Sequence, residues 1–164
     1  MAMENPWSGQ VFDETEAAAW AAALRAAGRV VVFTNGCFDL LHRGHVDYLQ
    51  RARGLGDALV VGLNGDDSVR RLKGPGRPIL PEAERAAVLV ALRAVDAVVI
   101  FRETTAEALA AAIRPAIYVK GGDWGGAART PPEAAVVLGY GGRVQYIPYL
   151  PGRSTSEIVA QIRS

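Results

Sequence analysis

Apolar residues along the chain form five short continuous runs, which alternate with helical patterns. The runs occupy residues 29–34, 58–63, 97–101, 116–120 and 143–147. An uninterrupted apolar run of this length is typical of a strand covered on both faces of a sheet. Helical patterns occupy residues 13–27, 44–53, 82–95, 105–113 and 154–162, and a short helix is expected before the fifth run. The alternation predicts an α/β fold: a Rossmann-like, doubly wound, five-stranded and mainly parallel sheet with helices on both faces.

The order of these elements divides the chain into an N-terminal helical extension, residues 1–28, and a single domain, residues 29–164. Residues 64–80 are rich in glycine, proline and charge, so most of this segment is predicted to be a mobile loop. In open parallel sheets, ligands bind beyond the carboxyl ends of the strands. The segments that follow the strands are therefore the first places to search for functional residues.

Composition and charge exclude several classes of function. The chain has 164 residues, half of them hydrophobic, and a formal net charge of +1 without a basic block, which disfavours nucleic acid as a partner. The single cysteine excludes an internal disulfide, and no Cys/His set has zinc spacing. Neither a signal-peptide pattern nor an apolar run of membrane-spanning length is present, so we expect a cytoplasmic protein without a membrane partner.

The chain's two histidines, His42 and His45, lie three residues apart at a predicted helix start after the first strand. They end the segment TNGCFDLLHRGH, which covers residues 34–45. A helix N-terminus offers free N–H groups and a partial positive charge to a phosphate, and Gly44 removes a side chain from its path. Two imidazoles at this place are suited to stabilising phosphate charge in a transition state. The alternative is a pair of unrelated surface histidines.

Lysine is rare in this chain, since only Lys73 and Lys120 occur among 18 Lys and Arg residues. Lys73 and Arg77 lie in the predicted loop, where a cation that folds over a triphosphate would neutralise the leaving pyrophosphate. Ordinary solvated charge is the alternative. The segment after the fourth strand reads Lys120, Gly121, Gly122 and Asp123. Paired glycines let the backbone approach a ligand closely, although a plain turn explains them as well.

The last helix begins with a pattern that has two compatible interpretations. Ser154, Thr155, Ser156 and Glu157 match a capping box, with Ser154 as the cap. The same helix N-terminus is also able to bind phosphate. Capping and ligand binding do not exclude each other here.

Acidic and amide side chains near the strand ends are weaker candidates. Asp39 is placed to hold the turn after the first strand or to orient a histidine. Asn64 and Asp66 follow the second strand, where they would meet hydroxyl groups of an acceptor substrate. Cys37 is interpreted as a packing residue, because no base is arranged beside it as in a Cys–His pair. No GxxxxGK[ST], GxGxxG or GxSxG motif is present, which disfavours a P-loop enzyme, a dehydrogenase and an α/β-hydrolase.

The segment His42-Arg43-Gly44-His45 resembles the HxGH signature of the cytidylyltransferase-like nucleotidyltransferases. Further short segments follow in the order expected for the heptose 1-phosphate adenylyltransferases, which make ADP-heptose. These segments are residues 71–74 (RLKG), 77–79 (RPI), 84–85 (ER), 95–96 (VD), 119–123 (VKGGD) and 152–156 (GRSTS). The resemblance covers the chain from about Glu14 to its end.

The resemblance implies roles for individual residues. His42, His45 and Lys73 would be catalytic, with Lys73 on the phosphates. Asp39, Asn64, Asp66 and Arg77 would contact the acceptor. The residues that would hold the nucleotide are Asn35, Gly36, Cys37, Phe38, His42, Gly44, His45, Lys120, Gly121, Gly122, Asp123, Gly152, Arg153, Ser154, Thr155 and Ser156. Trp124 departs from the pattern, since heptose enzymes often carry tyrosine there.

The implied reaction transfers AMP from ATP to a heptose 1-phosphate and releases pyrophosphate. A Mg²⁺ ion held mainly by substrate phosphates is expected, because Mg²⁺ usually keeps few protein ligands. One alternative is transfer of CMP to glycerol 3-phosphate, whose enzymes share HxGH and whose fourth-strand loop more often resembles MGDDW. Another is a catalytically idle nucleotide-binding module that regulates a partner. The resemblance also implies a possible homodimer, and a sugar kinase of the same pathway would be a separate protein.

Overall fold

Six parallel strands form one sheet in the computed structural model, which describes residues 9–122, 129–152 and 154–164. The strands are β1 (Gln10–Phe12), β2 (Val31–Gly36), β3 (Ala58–Asn64), β4 (Ala97–Phe101), β5 (Ile117–Gly121) and β6 (Arg143–Ile147). Their order across the sheet is β1-β4-β3-β2-β5-β6. The chain winds outward from β2 first to one side and then to the other, so the fold is Rossmann-like and doubly wound.

Seven helices connect and flank these strands within the described residues. They are α1 (Glu14–Ala26), α2 (Arg43–Arg53), α3 (Asp66–Lys73), α4 (Glu82–Val90), α5 (Glu107–Ile113), α6 (Pro132–Gly139) and α7 (Thr155–Arg163). Local signals explain several of their ends. Asp13 and Glu16 form a reciprocal capping box before α1. Gly74 ends α3 with a φ of 97°, a backbone conformation that glycine adopts without strain.

The prediction of five strands was wrong by one, because β1 pairs with β4 at the edge of the sheet. Its register places Gln10 opposite Ala97 and Phe12 opposite Val99. Three residues are too few to produce a recognisable alternation of polar and apolar positions. Backbone pairing to β4, rather than a hydrophobic pattern of its own, therefore defines this strand.

The prediction that residues 64–80 are mostly a loop also needs correction, because α3 occupies half of that segment. Acidic residues lie in the first turn of α3 and basic residues in its last turn, which suits the helix dipole. Glycine and proline further along the segment concealed this short helix. The helix predicted over residues 82–95 is shorter than expected and ends at Val90.

Two hydrophobic clusters cover the two faces of the sheet. On one face, α2 and α4 contribute Leu49 and Leu89 to the packing against β2 and β3. On the other face, α1, α5 and α6 pack against the same strands, and all of Ala21, Ile113 and Val137 are fully buried. Because the strand order reverses between β2 and β5, a crevice opens at their carboxyl ends.

Candidate active site

A cavity of about 470 Å³ lies at the carboxyl ends of β2 and β5, where the topology predicts a ligand site. Its volume falls within the range of about 300–1,000 Å³ that is typical of small-molecule sites. Predicted site residues on its wall are Asn35, Gly36, Cys37, Phe38, Asp39, His45, Asn64, Lys73, Arg77, Lys120, Gly121 and Thr155. Residues from both halves of the chain therefore converge on one cavity.

Other predicted site residues lie away from the wall of this cavity. Among the described residues these are His42, Gly44, Asp66, Gly122, Gly152, Ser154 and Ser156. Gly152 and Ser154 instead line a second cavity of about 280 Å³ beside α7. Asp123 and Arg153 lie outside the described residues.

The two histidines lie together at the N-terminus of α2. His42 is the N-cap, and its Nδ1 accepts a hydrogen bond from the backbone N–H of Gly44 at 3.1 Å. The ring centroids of His42 and His45 are 4.0 Å apart at an interplanar angle of 31°. The ring of Phe38 contacts His45 from another side, with centroids 5.4 Å apart. The helix cap therefore fixes His42, and the two neighbouring rings fix His45.

His45 is held in its neutral form. Burial lowers its pKa from the ordinary 6.5 to about 4, and the positive charges of His42 and Lys73 act in the same direction. Its Nδ1 is buried without a well-formed hydrogen bond among the described residues, although the backbone of Leu40 partly opposes the shift. A neutral imidazole beside Lys73 is able to donate one N–H to a phosphate oxygen without requiring a positive charge of its own.

The low pKa of His45 predicts an acid-sensitive contribution to stability. The unfolded chain takes up a proton below the ordinary pKa of 6.5, whereas the folded chain resists it until about pH 4. The contribution is therefore fully present above 6.5 and is lost as the pH falls to about 4, a change of up to about 3 kcal/mol. Urea unfolding of wild type and His45→Gln at about pH 7 and about pH 5 measures it. An equal loss of stability in both proteins would contradict this assignment.

Asp39 anchors the segment after α3 to the turn after β2. Its buried carboxylate accepts hydrogen bonds from the backbone N–H groups of Ile79 and Leu80 at 2.8 and 3.1 Å. It also forms an ion pair with Arg77 at 3.0 Å. The carboxylate therefore holds the wall of the cavity in place. The predicted role of Asp39 in holding the turn after the first strand corresponds to these contacts.

Arg85 is a structural residue whose role the sequence pattern did not reveal. Its side chain is fully buried, and it donates hydrogen bonds to the carbonyl oxygens of Cys37, Asn64 and Leu80 at 2.6–3.0 Å. It also forms an ion pair with Asp66 at 2.7 Å. Asp66 was predicted to contact the acceptor, but its carboxylate forms this ion pair with Arg85. The sequence did contain a signal for the burial of Arg85. It lies four residues before the buried Leu89 and so shares its helix face.

The other half of the cavity carries a polar network in which Tyr118 and Glu133, which the sequence did not indicate, join the predicted residues Asn35 and Lys120. Lys120 donates to the backbone carbonyl and the side-chain oxygen of Asn35, both at 3.1 Å. Tyr118 donates to the same Asn35 oxygen at 2.7 Å, and Glu133 accepts from Asn35 at 3.3 Å. Thr104, Thr105, Arg129 and Tyr149 also line the cavity. Strand alternation explains the grouping, because Asn35 and Lys120 each lie two residues after a ring that is buried on the α5–α6 face.

The N-terminus of α7 lies against the turn that precedes α2. The hydroxyl of Thr155 donates to the carbonyl oxygen of Leu40 at 3.2 Å. Ser154 caps the helix by accepting from the backbone N–H of Glu157 at 3.2 Å, as its position in the predicted capping box requires. The last helix therefore approaches the histidines from the far end of the chain.

The described residues contain neither a membrane-spanning helix nor a cluster of metal-ligating side chains. No helix among them is long and apolar enough to span a bilayer. No group of three or more His, Cys, Asp or Glu side chains in the same residues is arranged to hold a metal ion.

The Cys37 thiol has its pKa raised, chiefly by burial, so its thiolate form is disfavoured at neutral pH.

Comparison with known proteins supplies the family. A family model described as cytidylyltransferase-like matches residues 33–158. Bifunctional protein HldE of Trichlorobacter lovleyi is 54% identical over 145 residues, which are 86% of this chain and 28% of that protein. HldE of Streptomyces coelicolor is 51% identical over 149 residues, 91% of this chain and 32% of that protein. The chain thus spans less than a third of the length of these relatives.

A solved structure shows the same fold. The lipopolysaccharide core biosynthesis protein of Thermoplasma volcanium is 28% identical to this chain and superposes with a TM-score of 0.61. The match covers 75% of this chain and 98% of that protein. With the family match over most of the sequence and the paired histidines at the cavity, this chain belongs to the cytidylyltransferase-like family of nucleotidyltransferases.

Proposed function

We propose that this protein transfers AMP from ATP to a heptose 1-phosphate, releasing pyrophosphate and forming ADP-heptose. The observation that carries the proposal is the stacked pair His42 and His45 at the N-terminus of α2, with His45 and Lys73 on the wall of one cavity. HldE relatives and a relative described as a lipopolysaccharide core biosynthesis protein support a sugar phosphate as the acceptor. An activated heptose would be a suitable precursor for a lipopolysaccharide core.

The charges around the cavity suit two phosphorylated substrates. Lys73, Arg77, Lys120 and Arg129 all contribute to its wall. Asp39 lies on the wall too, but its carboxylate is bound by Arg77 and two backbone N–H groups. Fixed positive charge in a partly enclosed site stabilises phosphate groups more strongly than the same charge does in bulk water.

In the proposed reaction an oxygen of the acceptor phosphate attacks the α-phosphorus of ATP, and the bond from that phosphorus to the β-phosphate oxygen breaks. A phosphate monoester is already anionic near neutral pH, so no strong general base is required. Neutral His45 would donate a hydrogen bond to an oxygen on the reacting phosphorus, and Lys73 would neutralise the pyrophosphate as it leaves. Cys37 takes no covalent part, consistent with its raised pKa.

A Mg²⁺ ion fits this site as a companion of the substrate and not as a resident metal. The carboxylates of Asp39 and Asp66 are already bound to arginines, and Mg²⁺ usually takes most of its ligands from substrate phosphates and water. When bound, the ion would supply additional charge neutralisation on the phosphates. Removal of Mg²⁺ is accordingly expected to abolish turnover while leaving the fold unchanged.

Two expectations about partners stay predictions. One is that a separate protein serves as the sugar kinase of the same pathway, and the other is that this protein forms a homodimer.

The proposal is tested by measuring pyrophosphate release with each of ATP, CTP, GTP and UTP, against heptose 1-phosphate and glycerol 3-phosphate. Release with ATP and heptose 1-phosphate alone is the expected result. Release with CTP and glycerol 3-phosphate would transfer the chain to the alternative suggested by Trp124, which lies outside the described residues. Silence with every pair would contradict catalysis on these acceptors and favour a module that only binds nucleotide.

A further inference from the structure

Glu133 is a buried carboxyl group on the cavity wall that the proposed reaction does not use. It lies in the first turn of α6 with only 3% of its surface exposed, yet it is one of the residues that line the cavity. Together with Asn35, Lys120, Thr104 and Thr105 it forms what we call the polyol wall. A buried carboxyl group costs free energy unless its oxygens are paired, so each of its hydrogen bonds needs an account.

One carboxyl oxygen of Glu133 is engaged by the protein. Its Oε1 accepts from the backbone N–H of Ala106 at 2.8 Å, at the start of α5, and from the side-chain amide of Asn35 at 3.3 Å. These two bonds fix the position of the side chain between two helices. Neither bond involves the second carboxyl oxygen, Oε2.

The second oxygen, Oε2, is incompletely paired. Its partner is the hydroxyl of Tyr118 at 3.2 Å, but the same hydroxyl lies closer to the side-chain oxygen of Asn35, at 2.7 Å. Burial and the charge of Glu133 raise the pKa of Tyr118, so this hydroxyl keeps its single proton. Asn35 and Glu133 share this one proton, and the contact to Asn35 is the shorter of the two. Oε2 therefore accepts one long hydrogen bond, and a carboxylate oxygen is able to accept a second.

The chemistry of Glu133 restricts what binds beside it. A carboxylate repels phosphate, so the part of a substrate that faces it must carry neutral hydrogen-bond donors, which in a sugar phosphate are hydroxyl groups. Glu133 lies on the α5–α6 face of the sheet, whereas the histidines and the N-terminus of α7 lie at the start of α2, on the other face. The proposed place of the nucleotide phosphates is thus across the strand ends from the polyol wall.

We propose that Glu133 is a specificity-determining residue whose Oε2 accepts a second hydrogen bond, from a hydroxyl group of the acceptor. The inference rests on the proposed function, because it assigns the sugar end of the acceptor to the polyol wall. Asn35 bonds to both Glu133 and Tyr118, and Lys120 bonds to Asn35. The site selects a polyhydroxylated phosphate, since a substrate without the matching hydroxyl leaves Oε2 with only its long hydrogen bond from Tyr118.

The test is a cycle that changes the enzyme and the substrate together. Pyrophosphate release is measured for wild type and Glu133→Gln with ATP and the acceptor that supports turnover, and then with each monodeoxy analogue of that acceptor. In wild type, one analogue is expected to lower kcat/KM by about 10- to 100-fold, the size of one hydrogen bond to a charged group. Glu133→Gln should show a similar loss with the full acceptor and almost none beyond it with that analogue. The KM for ATP should change less than about twofold.

Controls separate recognition from folding. Glu84→Gln removes an exposed carboxyl on α4 and is expected to behave as wild type. Glu133→Asp keeps the charge but withdraws it from the cavity, so it serves as the second variant if Glu133→Gln does not fold. A stable variant whose loss is the same with every analogue contradicts the inference and assigns Glu133 to structure alone. The same contradiction follows if 2′-deoxy-ATP or 3′-deoxy-ATP, and not an acceptor analogue, shows the coupling.

The cycle distinguishes this inference from the proposed function. Turnover with heptose 1-phosphate but without coupling at Glu133 would overturn the inference and leave the function standing. Turnover only with glycerol 3-phosphate, with coupling to one of its hydroxyls, would overturn the choice of heptose and support the role of Glu133. Silence with all acceptors would contradict both.

Discussion

Replacing His45 with alanine is expected to lower kcat by about 10²- to 10³-fold, the usual effect of removing one donor that stabilises transition-state charge. His45 lies on the cavity wall, is neutral, and is held between His42 and Phe38. His42 is the only other histidine in the chain, and unlike His45 it does not line the cavity. Because the interaction forms with the reacting phosphorus, kcat and kcat/KM should fall by similar factors, whereas the KM for ATP changes little.

The matched control for this experiment is Gln50→Ala, on the exposed side of the same helix. Steady-state pyrophosphate release gives kcat, and urea unfolding at neutral pH verifies that His45→Ala remains folded. A folded His45→Ala variant with near wild-type turnover would show that the histidine pair is not part of the catalytic apparatus. A rise in KM alone would instead make His45 a residue that binds substrate without stabilising the transition state.

Replacing Arg85 with methionine is expected to lower the free energy of unfolding by about 3–5 kcal/mol, because a fully buried guanidinium is removed from an ion pair and from three backbone carbonyl oxygens. The change leaves Asp66 unpaired and deprives the carbonyl oxygens of Cys37, Asn64 and Leu80 of their donor. Three segments that form the cavity meet at this guanidinium, so loss of activity should accompany loss of stability.

Arg29→Met is the control for Arg85, since Arg29 is 60% exposed and its nearest contact with Asp57 is 3.7 Å. An exposed pair of this kind contributes at most about 1 kcal/mol. Urea titrations of both variants give the comparison. Equal and small effects from the two substitutions would mean that the buried network around Arg85 does not stabilise the fold as described.

The sheet was predictable because its central strands are covered on both faces and therefore consist of uninterrupted apolar runs. The strand β3, for example, is buried along its whole length, and its sequence reads as such a run. The edge strand β1 was not predictable, because pairing to β4 defines it. Helix α3 was concealed by the glycine and proline that follow it, although its charges suit the helix dipole.

The candidate site was predictable where a rare residue type lies at the end of a strand or at the start of the next helix, as with Lys120 in β5 and His45 in α2. It was not predictable where contacts distant in sequence decide the role. Glu133 meets Asn35 across 98 positions of the chain, and Arg85 meets Cys37 across 48. A single sequence contains no signal for such pairs beyond the helix face on which each residue lies.

The proposed reaction transfers AMP, and with it the α-phosphate of ATP, to the acceptor. Following a label on that phosphate is the most direct test of this transfer. Wild-type protein, Mg²⁺ and heptose 1-phosphate are incubated with ATP labelled at the α-phosphate, and products are separated by charge and mass. We expect the label to move into a nucleotide-sugar, in equal amount to the pyrophosphate released, with none bound to the protein. Label recovered in ADP or in a covalent protein adduct would contradict direct nucleotidyl transfer.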